Sequence, residues 1–316
     1  MKRPRWLIPT FIIATTFASL IGCNRAQQQK KLIAIIVPTQ DNPYFKTEAD
    51  AAADHARSLG YRVRVDAHND DAYRQDNLID AAIASNASAI ILDNAGTDAS
   101  ISAVRRASKA GIVCILIDRE ITALGIAKAQ IISDNDQGAR LVAAEFVRAL
   151  GPRAQYAELL GRESDTNAQV RTRGFHAVLD QHPALTRVSA QSANWSQSEA
   201  FQKTETMLQA HAEIAGIIAG NDTMALGAAA AVKGAGLTHI RITGFDGSPD
   251  AVASIARGEI AATALQPAVL ISRLAVGEAD QFLRTGSTGK PELQIIPCDL
   301  VTKSNATSFV DFEKIR

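Results

Sequence analysis

The stretch LIAIIVPTQDNPYF, residues 32–45, decides the fold of this chain. It starts with an unbroken apolar run and then passes through a polar loop to an Asn-Pro turn and two adjacent aromatic residues, Tyr44 and Phe45. An apolar run without alternation is typical of a strand that is covered on both faces, as in a parallel sheet. The amphipathic, alanine-rich segment 45–59 that follows predicts a helix. The stretch therefore predicts the first strand and helix of a parallel α/β sheet.

The same alternation of apolar runs and helical segments extends over almost the whole chain. Further helices are predicted over residues 75–85, 98–110, 137–150, 169–181, 198–210 and 223–235. A strand, a helix and a second strand in succession form a parallel pair with a right-handed crossover. At 316 residues the chain is too long for a single core, and its apolar runs divide into two sets near residues 133–135. The sequence thus predicts an α/β fold with two doubly wound parallel sheets.

The charge balance argues against a partner that is a polyanion. Lys plus Arg and Asp plus Glu each total 33, so the formal net charge is zero. A protein that binds nucleic acid or an acidic membrane through its overall charge carries a basic excess or a basic tract. Here basic residues cluster only at the extreme N-terminus, and we therefore predict no nucleic-acid partner.

The N-terminus has the pattern of an export signal. Lys2, Arg3 and Arg5 precede an apolar run over residues 6–21, which is short for a membrane-spanning helix. The run ends in LIGC, residues 20–23, which resembles the bacterial lipobox. We predict a signal peptide over 1–23, acylation of Cys23 as the first mature residue and a tether over 24–31. The alternative is an ordinary signal peptide in which Cys23 is incidental. Both interpretations predict an exported protein. Acylation of Cys23 would place it in the periplasm or on a membrane surface of the cell envelope.

The other two cysteines do not suggest a cofactor. Cys114 and Cys298 lie in apolar, strand-like runs, GIVCILID and IIPCDLV, where a thiol acts as a small buried apolar group. An exported compartment also permits a disulfide bridge. Two thiols are too few for a metal cluster or a disulfide scaffold, and we predict no metal and no cofactor.

One acidic segment has partial calcium-loop spacing. Asp134, Asp136 and Glu145 fall at ligand positions of such a loop, but its turn glycine is missing. The sequence instead favours Asp134 or Asn135 as the cap of the next helix.

Planar polar and aromatic side chains recur where the apolar runs end. In open parallel sheets, ligands bind beyond the carboxyl ends of the strands. The residues at these ends are Asp41, Asn42, Tyr44, Phe45, Asp118, Arg119, Arg171, Arg173, Asn194, Trp195, Asn221, Asp222, Asp246 and Gln266. Asp222 precedes a helical segment and is predicted to cap it, and one of the two arginines is expected to be solvated. Because planar polar and aromatic side chains recur at so many strand ends, we predict that they form one common site.

Six of these stretches carry a family resemblance. DNPYF, LIDRE, VRTRGF, AGNDTMALGA, ITGFDGSPD and ATALQP follow in order between residues 41 and 267. The region from about 31 to 303 resembles the ribose-binding protein family of bacterial sugar importers. Effector domains of the lactose-repressor family are similar, but this chain has an export signal in place of their DNA-binding helices.

The resemblance implies a domain plan. One lobe is expected to comprise residues 32–133 and 267–296, and the other residues 134–266 and 297–316. Three hinge strands are expected near residues 133–134, 265–266 and 296–298. The resemblance also implies that one sugar binds in the cleft between the lobes.

The resemblance further implies a set of binding residues. Matched by position, they are Asn42, Tyr44, Phe45, Asp118, Arg119, Arg173, Trp195, Asn221, Asp246 and Gln266. This sequence departs from the ribose binders at Pro38, where they have a small hydroxyl residue, and at Tyr44 and Trp195, where they have Phe. The aromatic changes alter the pocket walls, so a sugar other than ribose is also expected.

The residues agree with this interpretation on chemical grounds. A sugar or cyclitol ring presents apolar faces, which Tyr44 or Phe45 and Trp195 can sandwich, and a belt of hydroxyls that carboxylates, amides and guanidinium groups can bind. Because Asp118 directly precedes Arg119, both side chains are expected to be ionised.

These features predict a monomeric binding protein rather than an enzyme. Its two lobes are expected to close on a monosaccharide (a pentose, hexose or cyclitol) and to present it to an ABC permease. A sensor for a sugar or furanosyl signal that contacts a membrane receptor is the alternative. A glycoside hydrolase that uses Asp118 and Asp246 is the less favoured one, because it needs a carboxyl group with a raised pKa.

Overall fold

The structure, a computed structural model, describes Met1 and residues 31–314. Cys23 lies outside these residues, as do the predicted signal peptide and tether apart from Met1 and Lys31. In the described part of the chain, no helix combines the length and the apolar content needed to cross a bilayer.

Two six-stranded sheets organise residues 32–302. Their strands are β1 Leu32–Val37, β2 Arg62–Ala67, β3 Ala89–Leu92, β4 Val113–Ile117, β5 Ala129–Ser133, β6 Ala154–Leu160, β7 Leu185–Ser192, β8 Ile214–Ala219, β9 Arg241–Thr243, β10 Ala262–Leu265, β11 Leu293–Ile296 and β12 Asp299–Thr302. The first sheet has the order β11-β5-β4-β3-β1-β2 and the second the order β12-β10-β9-β8-β6-β7. Within these two sheets, all strand pairs are parallel except β10 with β12, which is antiparallel.

Helices cover the faces of both sheets, so that every residue of β1 is buried. They are α1 Pro43–Ser58, α2 Ala72–Ala84, α3 Ile101–Lys109, α4 Asn135–Leu150, α5 Thr166–Leu179, α6 Gln197–Ala210, α7 Asp222–Gly234, α8 Pro249–Arg257 and α9 Ala268–Thr285. Side-chain caps fix several starts: Asn42 accepts a hydrogen bond from the Tyr44 N–H, with Pro43 at the first helical position. Asp134 caps α4 as predicted. Asn221, and not Asp222, caps α7, so the prediction for Asp222 was wrong.

The fold prediction of two parallel-sheet lobes is confirmed. The chain passes between the sheets at three places: at Asp134, at residues 266–267 and at residues 297–298. The first and third passages are tied together, because the Asp134 N–H donates to the Ile296 carbonyl at 2.7 Å. Cys298 also exchanges hydrogen bonds with the Gln137 side chain. Cys114 and Cys298 are buried free thiols, and burial raises the pKa of each to about 12.

The C-terminal tail forms a hairpin that contacts the first lobe. After a short 3-10 helix, Ala306–Ser308, two short strands, β13 Phe309–Val310 and β14 Glu313–Lys314, form an antiparallel hairpin. Phe312 packs against Tyr44 of α1, and Glu313 pairs with Arg273 of α9. Both helices belong to the first lobe, so the hairpin contacts the lobe opposite to the one to which the sequence assigns residues 297–316. The apolar burial of Phe312 draws the tail back across the hinge.

Candidate functional site

A cavity lies between the carboxyl ends of the two sheets. Aromatic rings, carboxylates, amides and guanidinium groups line it. The lining residues are Tyr44, Phe45, Asp118, Arg119, Asp165, Asn167, Arg171, Trp195, Asn221, Asp246 and Gln266. The first four come from strand ends and helix starts of the first lobe, and all the others except Gln266, which lies at a passage between the lobes, come from the second. The cavity thus has one wall in each lobe.

The first wall is built by the start of α1. The Tyr44 and Phe45 rings meet edge to face, with centroids 5.7 Å apart. The Tyr44 hydroxyl donates to Asp118 Oδ1 at 3.2 Å, and the Arg119 guanidinium lies over the Phe45 ring, 5.1 Å from its centroid. Each aromatic ring is therefore coupled to one polar group at the end of β4.

The second wall is built around Trp195. Its backbone has a φ of 65°, a left-handed conformation that is rare for a bulky residue. The indole ring lies directly on Gly161, where any side chain would collide with it, and its Nε1–H donates to Asp165 Oδ2 at 3.0 Å. A strained backbone held in this way by packing is common in binding sites.

Arg119 connects the two walls through a group of acidic residues. Its Nη1 donates to Asp70 Oδ1 at 2.9 Å, within the first lobe. Its Nε lies 2.8 Å from Asp165 Oδ2 of the second lobe, as an ion pair rather than an aligned hydrogen bond. Asp93 and Asp118 are farther from Nε, at 3.5 and 3.8 Å. Asp165 and Asp70, rather than the neighbouring Asp118, are therefore the nearest acidic partners of Arg119.

Burial changes the ionisation of the cavity carboxyl groups. Loss of water raises the pKa of Asp118 to about 6, against the opposing effect of Arg119. Burial likewise raises the pKa of Asp246 well above its ordinary value, although Arg171 lies 3.4 Å away and Gln266 donates to it at 2.9 Å. The sequence-based expectation that the neighbouring arginine keeps Asp118 ionised holds only above about pH 6.

Comparison with known proteins identifies this architecture. Residues 33–288 match the family model described as periplasmic binding protein domain. This chain belongs to that family. The family prediction is thereby confirmed, in its ribose-binding-like form.

Three relatives of this periplasmic binding protein are informative. It is 53% identical over 302 residues to the D-apiose import binding protein of Paraburkholderia graminis, with 96% of each chain covered. It is 33% identical over 292 residues to the ribose import binding protein of Haemophilus influenzae, covering 92% of this chain and 97% of the relative. The crystal structure of an ABC transporter periplasmic solute binding protein from Actinobacillus succinogenes with bound D-allose superposes with a TM-score of 0.83. That structure is 28% identical and covers 89% of this chain and all of its own.

Of the ten residues predicted for the site of this periplasmic binding protein, two lie elsewhere. Arg173 is exposed on the outer side of α5, and Arg171 occupies the cavity in its place. Asn42 caps α1 and lies on the rim outside the cavity. The structure brings the other eight together: Tyr44, Phe45, Asp118, Arg119, Trp195, Asn221, Asp246 and Gln266.

The helix period contains a signal that distinguishes the two arginines. Arg171 precedes the core residue Phe175 by four positions and shares its buried face, together with Gly174. Arg173 lies about 200° around the helix from Arg171. Motif position alone does not distinguish these two faces of the helix.

Two other residues of the cavity, Asp165 and Asn167, were missed. They lie in ESDTN, residues 163–167, between the end of β6 and the first turn of α5. Asp165 caps α5, and Asn167 Nδ2 donates to the Asp118 carbonyl of the first lobe at 3.3 Å. The Ser-Asp-Thr-Asn run before a helix is a capping signal in the sequence, but it does not reveal the partner across the cleft.

Proposed function

We propose that this protein is the extracytoplasmic sugar-binding component of an ABC importer and that it holds one monosaccharide, with D-apiose as the first candidate, in the cavity between its lobes. The observation that carries this proposal is the composition of the cavity walls. Aromatic rings stand on both sides of the cavity, and eight ionic or amide side chains of both lobes converge on it. Aromatic rings can cover the faces of a small polyhydroxylated ring, and ionic and amide side chains can bind its hydroxyls.

The polar groups supply both kinds of hydrogen-bond partner that a sugar hydroxyl needs. Asp118, Asp246 and the amide oxygens accept, while Arg171, Asn221 and the other amides donate. A hydrogen bond to a charged group contributes about 1.5–3 kcal/mol. Because these side chains are almost fully buried, an analogue that lacks one hydroxyl leaves a buried partner unpaired and binds more weakly.

Two arguments favour D-apiose over D-ribose as the ligand. The identity to the apiose import protein, 53%, is well above the identity to the ribose import protein, 33%. The polar aromatic residues Tyr44 and Trp195 also replace the Phe residues of the ribose binders. They add a hydroxyl at Asp118 and an indole N–H at Asp165. D-apiose is a branched pentose and an isomer of D-ribose. Its hydroxymethyl group is attached to a different ring carbon, so its hydroxyls require a different arrangement of polar partners.

Lobe closure is the proposed mechanism of capture. Contacts across the cleft include Arg119 with Asp165 at 2.8 Å and Thr97 with Thr166 at 2.8 Å. A ligand that contacts both walls binds the closed arrangement more strongly than an open one and shifts the equilibrium towards it. The permease would recognise that closed form. Attachment to a membrane through acylated Cys23, with residues 24–31 as a tether, and a monomeric state are part of this proposal.

We also propose that the protein is not a glycoside hydrolase. The raised pKa values of Asp118 and Asp246 meet one requirement for an acid catalyst. However, a glycosidase must also accommodate the leaving group, and the contacts of Arg119 with Asp165 and of Thr97 with Thr166 close the cavity from one lobe to the other. Release of product from an aryl apioside, measured over hours, tests this point.

A thermal-shift and calorimetric screen tests the ligand. We expect D-apiose to raise the melting temperature more than D-ribose, D-allose or myo-inositol. At about 100 times the Kd, binding adds about 2.7 kcal/mol to the free energy of unfolding. Gln266→Ala removes a buried amide of the cavity and should lose most of this effect. Gln181→Ala, on the exposed side of the second lobe, should keep it. If D-apiose does not bind but one of the other sugars does, the ligand assignment is overturned. If none of the four sugars binds, the proposed function is overturned.

A further inference from the structure

The C-terminal hairpin contains a turn that is unfavourable by itself. Asp311 and Phe312 connect β13 and β14 and have φ values of 48° and 60°. A two-residue hairpin loop with positive φ at both positions favours Asn-Gly or Asp-Gly, because a large side chain is strained in the left-handed region. A phenylalanine at the second position persists only where its surroundings stabilise it.

The packing of the Phe312 ring supplies that stabilisation. The side chain is 1% exposed. It meets the Tyr44 ring edge to face, with a centroid distance of 5.7 Å and an interplanar angle of 75°. Tyr44 itself lines the cavity, contacts Phe45 and donates to Asp118. A continuous series of contacts therefore runs from the tail to the cavity.

Polar contacts attach the hairpin to both lobes. Glu313 accepts from Arg273 of α9 in the first lobe at 3.1 Å, and Lys314 pairs with Asp299 of β12 in the second lobe at 2.8 Å. All four side chains are about half exposed, so these pairs contribute little. The buried ring of Phe312 is therefore the apolar contact by which the hairpin reaches Tyr44 of the first lobe.

We propose that the C-terminal hairpin, acting through Phe312, holds the Tyr44 ring in place and so sets the affinity of the cavity for its sugar. Phe312 is thus a positioning residue, because it contacts Tyr44 and does not line the cavity. The effect on affinity rests on the proposed function, whereas the effect on Tyr44 does not.

Two measurements test the proposal. The first is ¹⁹F NMR of sugar-free protein labelled with 3-fluorotyrosine. The chain has four tyrosines, and Tyr44→Leu identifies the resonance of Tyr44. We expect Phe312→Leu to shift that resonance. Val310→Ala is the control, because this side chain is in the same hairpin but 51% exposed.

The second measurement is the Kd for D-apiose by calorimetry. Phe312→Leu should raise it by roughly two- to tenfold, the range that corresponds to one aromatic pair, while Val310→Ala leaves it within about twofold. In the Tyr44→Leu background, Phe312→Leu should have no further effect on Kd. A merely structural role would lower the melting temperature and weaken binding equally in both backgrounds, and that result overturns the proposal.

The two arms separate the possible failures. An unshifted Tyr44 resonance in Phe312→Leu overturns the positioning role whether or not any sugar binds. A shifted resonance with an unchanged Kd overturns the role in affinity. If the unmodified protein does not bind D-apiose, the ligand assignment fails, and the resonance alone then decides whether the hairpin positions Tyr44.

Discussion

The pair Arg171 and Arg173 provides the sharpest test of the site. The two side chains lie two positions apart on α5, but Arg171 is 4% exposed and lines the cavity, whereas Arg173 is exposed. The same conservative substitution can therefore be made inside and outside the site on one helix. The motif match to the family predicts that Arg173 is needed for binding; the structure predicts that Arg171 is.

The magnitude follows from the contacts of the Arg171 guanidinium. Its Nε donates to Asn135 Oδ1 at 2.8 Å and its Nη1 to the Gly220 carbonyl at 2.9 Å, and the group stacks on Phe245 at 3.9 Å. Among the described residues Nη2 has no acceptor, and we expect it to donate to the sugar. Lysine keeps the charge but cannot reproduce the planar fork or the stacking.

We therefore expect Arg171→Lys to lose at least one charged hydrogen bond to the ligand. That loss is about 1.5–3 kcal/mol, or roughly a 10- to 150-fold rise in Kd. Arg173→Lys should change Kd by less than about twofold, as is usual for surface substitutions. The assay is calorimetry with D-apiose, after a thermal melt of each sugar-free variant has shown that it is folded. A large loss of affinity in Arg173→Lys with normal binding in Arg171→Lys would refute the reasoning.

Two further predictions concern ionisation and membrane attachment. Burial raises the pKa of Asp118 to about 6, so this side chain is a neutral carboxyl group below that pH. To accept a charged hydrogen bond from a sugar hydroxyl it must first lose its proton, and we therefore expect the affinity to fall as the pH drops below about 6. The stability of the sugar-free protein should respond in the opposite direction: between about pH 4 and 6 the folded state binds more protons at Asp118 than the unfolded chain, so this contribution to the free energy of unfolding increases as the pH falls. Calorimetry and denaturant melts across that range check both trends, Asp118→Asn should reduce both slopes, and an affinity that is independent of pH would contradict the argument. Separately, Cys23→Ser should move the exported protein from the membrane fraction to the soluble fraction, as followed by immunoblot, and continued membrane attachment of the variant would rule out an acyl anchor at this residue.

The local sequence determined the fold because its signals are short-range. Apolar runs without alternation require cover on both faces, and the helical segments between them supply that cover, so the parallel arrangement follows from pattern alone. Residues at the carboxyl ends of parallel strands meet at one edge of a sheet for the same topological reason. That is why Asp118, Asn221 and Asp246 could be predicted as members of one site before any contact was known. The helices α8 and α9 were not predicted.

The tertiary structure decided which side chains face the cavity and which groups they meet. Arg171 and Arg173 are the same residue type in one helix, and the packing of Gly174 and Phe175 fixes which of them points inward. Arg119 has an acidic neighbour in sequence, but its partners at 2.8 and 2.9 Å are Asp165 and Asp70, which are remote in the chain.

The same holds for the ionisation of the site and for the tail. The raised pKa of Asp118 comes from burial between two lobes, which no local stretch encodes. The contact of Phe312 with Tyr44 joins the last residues described to the first helix. Sequence thus determined the elements and the strand ends on which the site is built, because backbone pattern is local. The contact between the lobes and the packing of the C-terminal hairpin decided which side chains of the site pair and which are ionised. Burial and electrostatic coupling depend on groups that only the folded chain brings together.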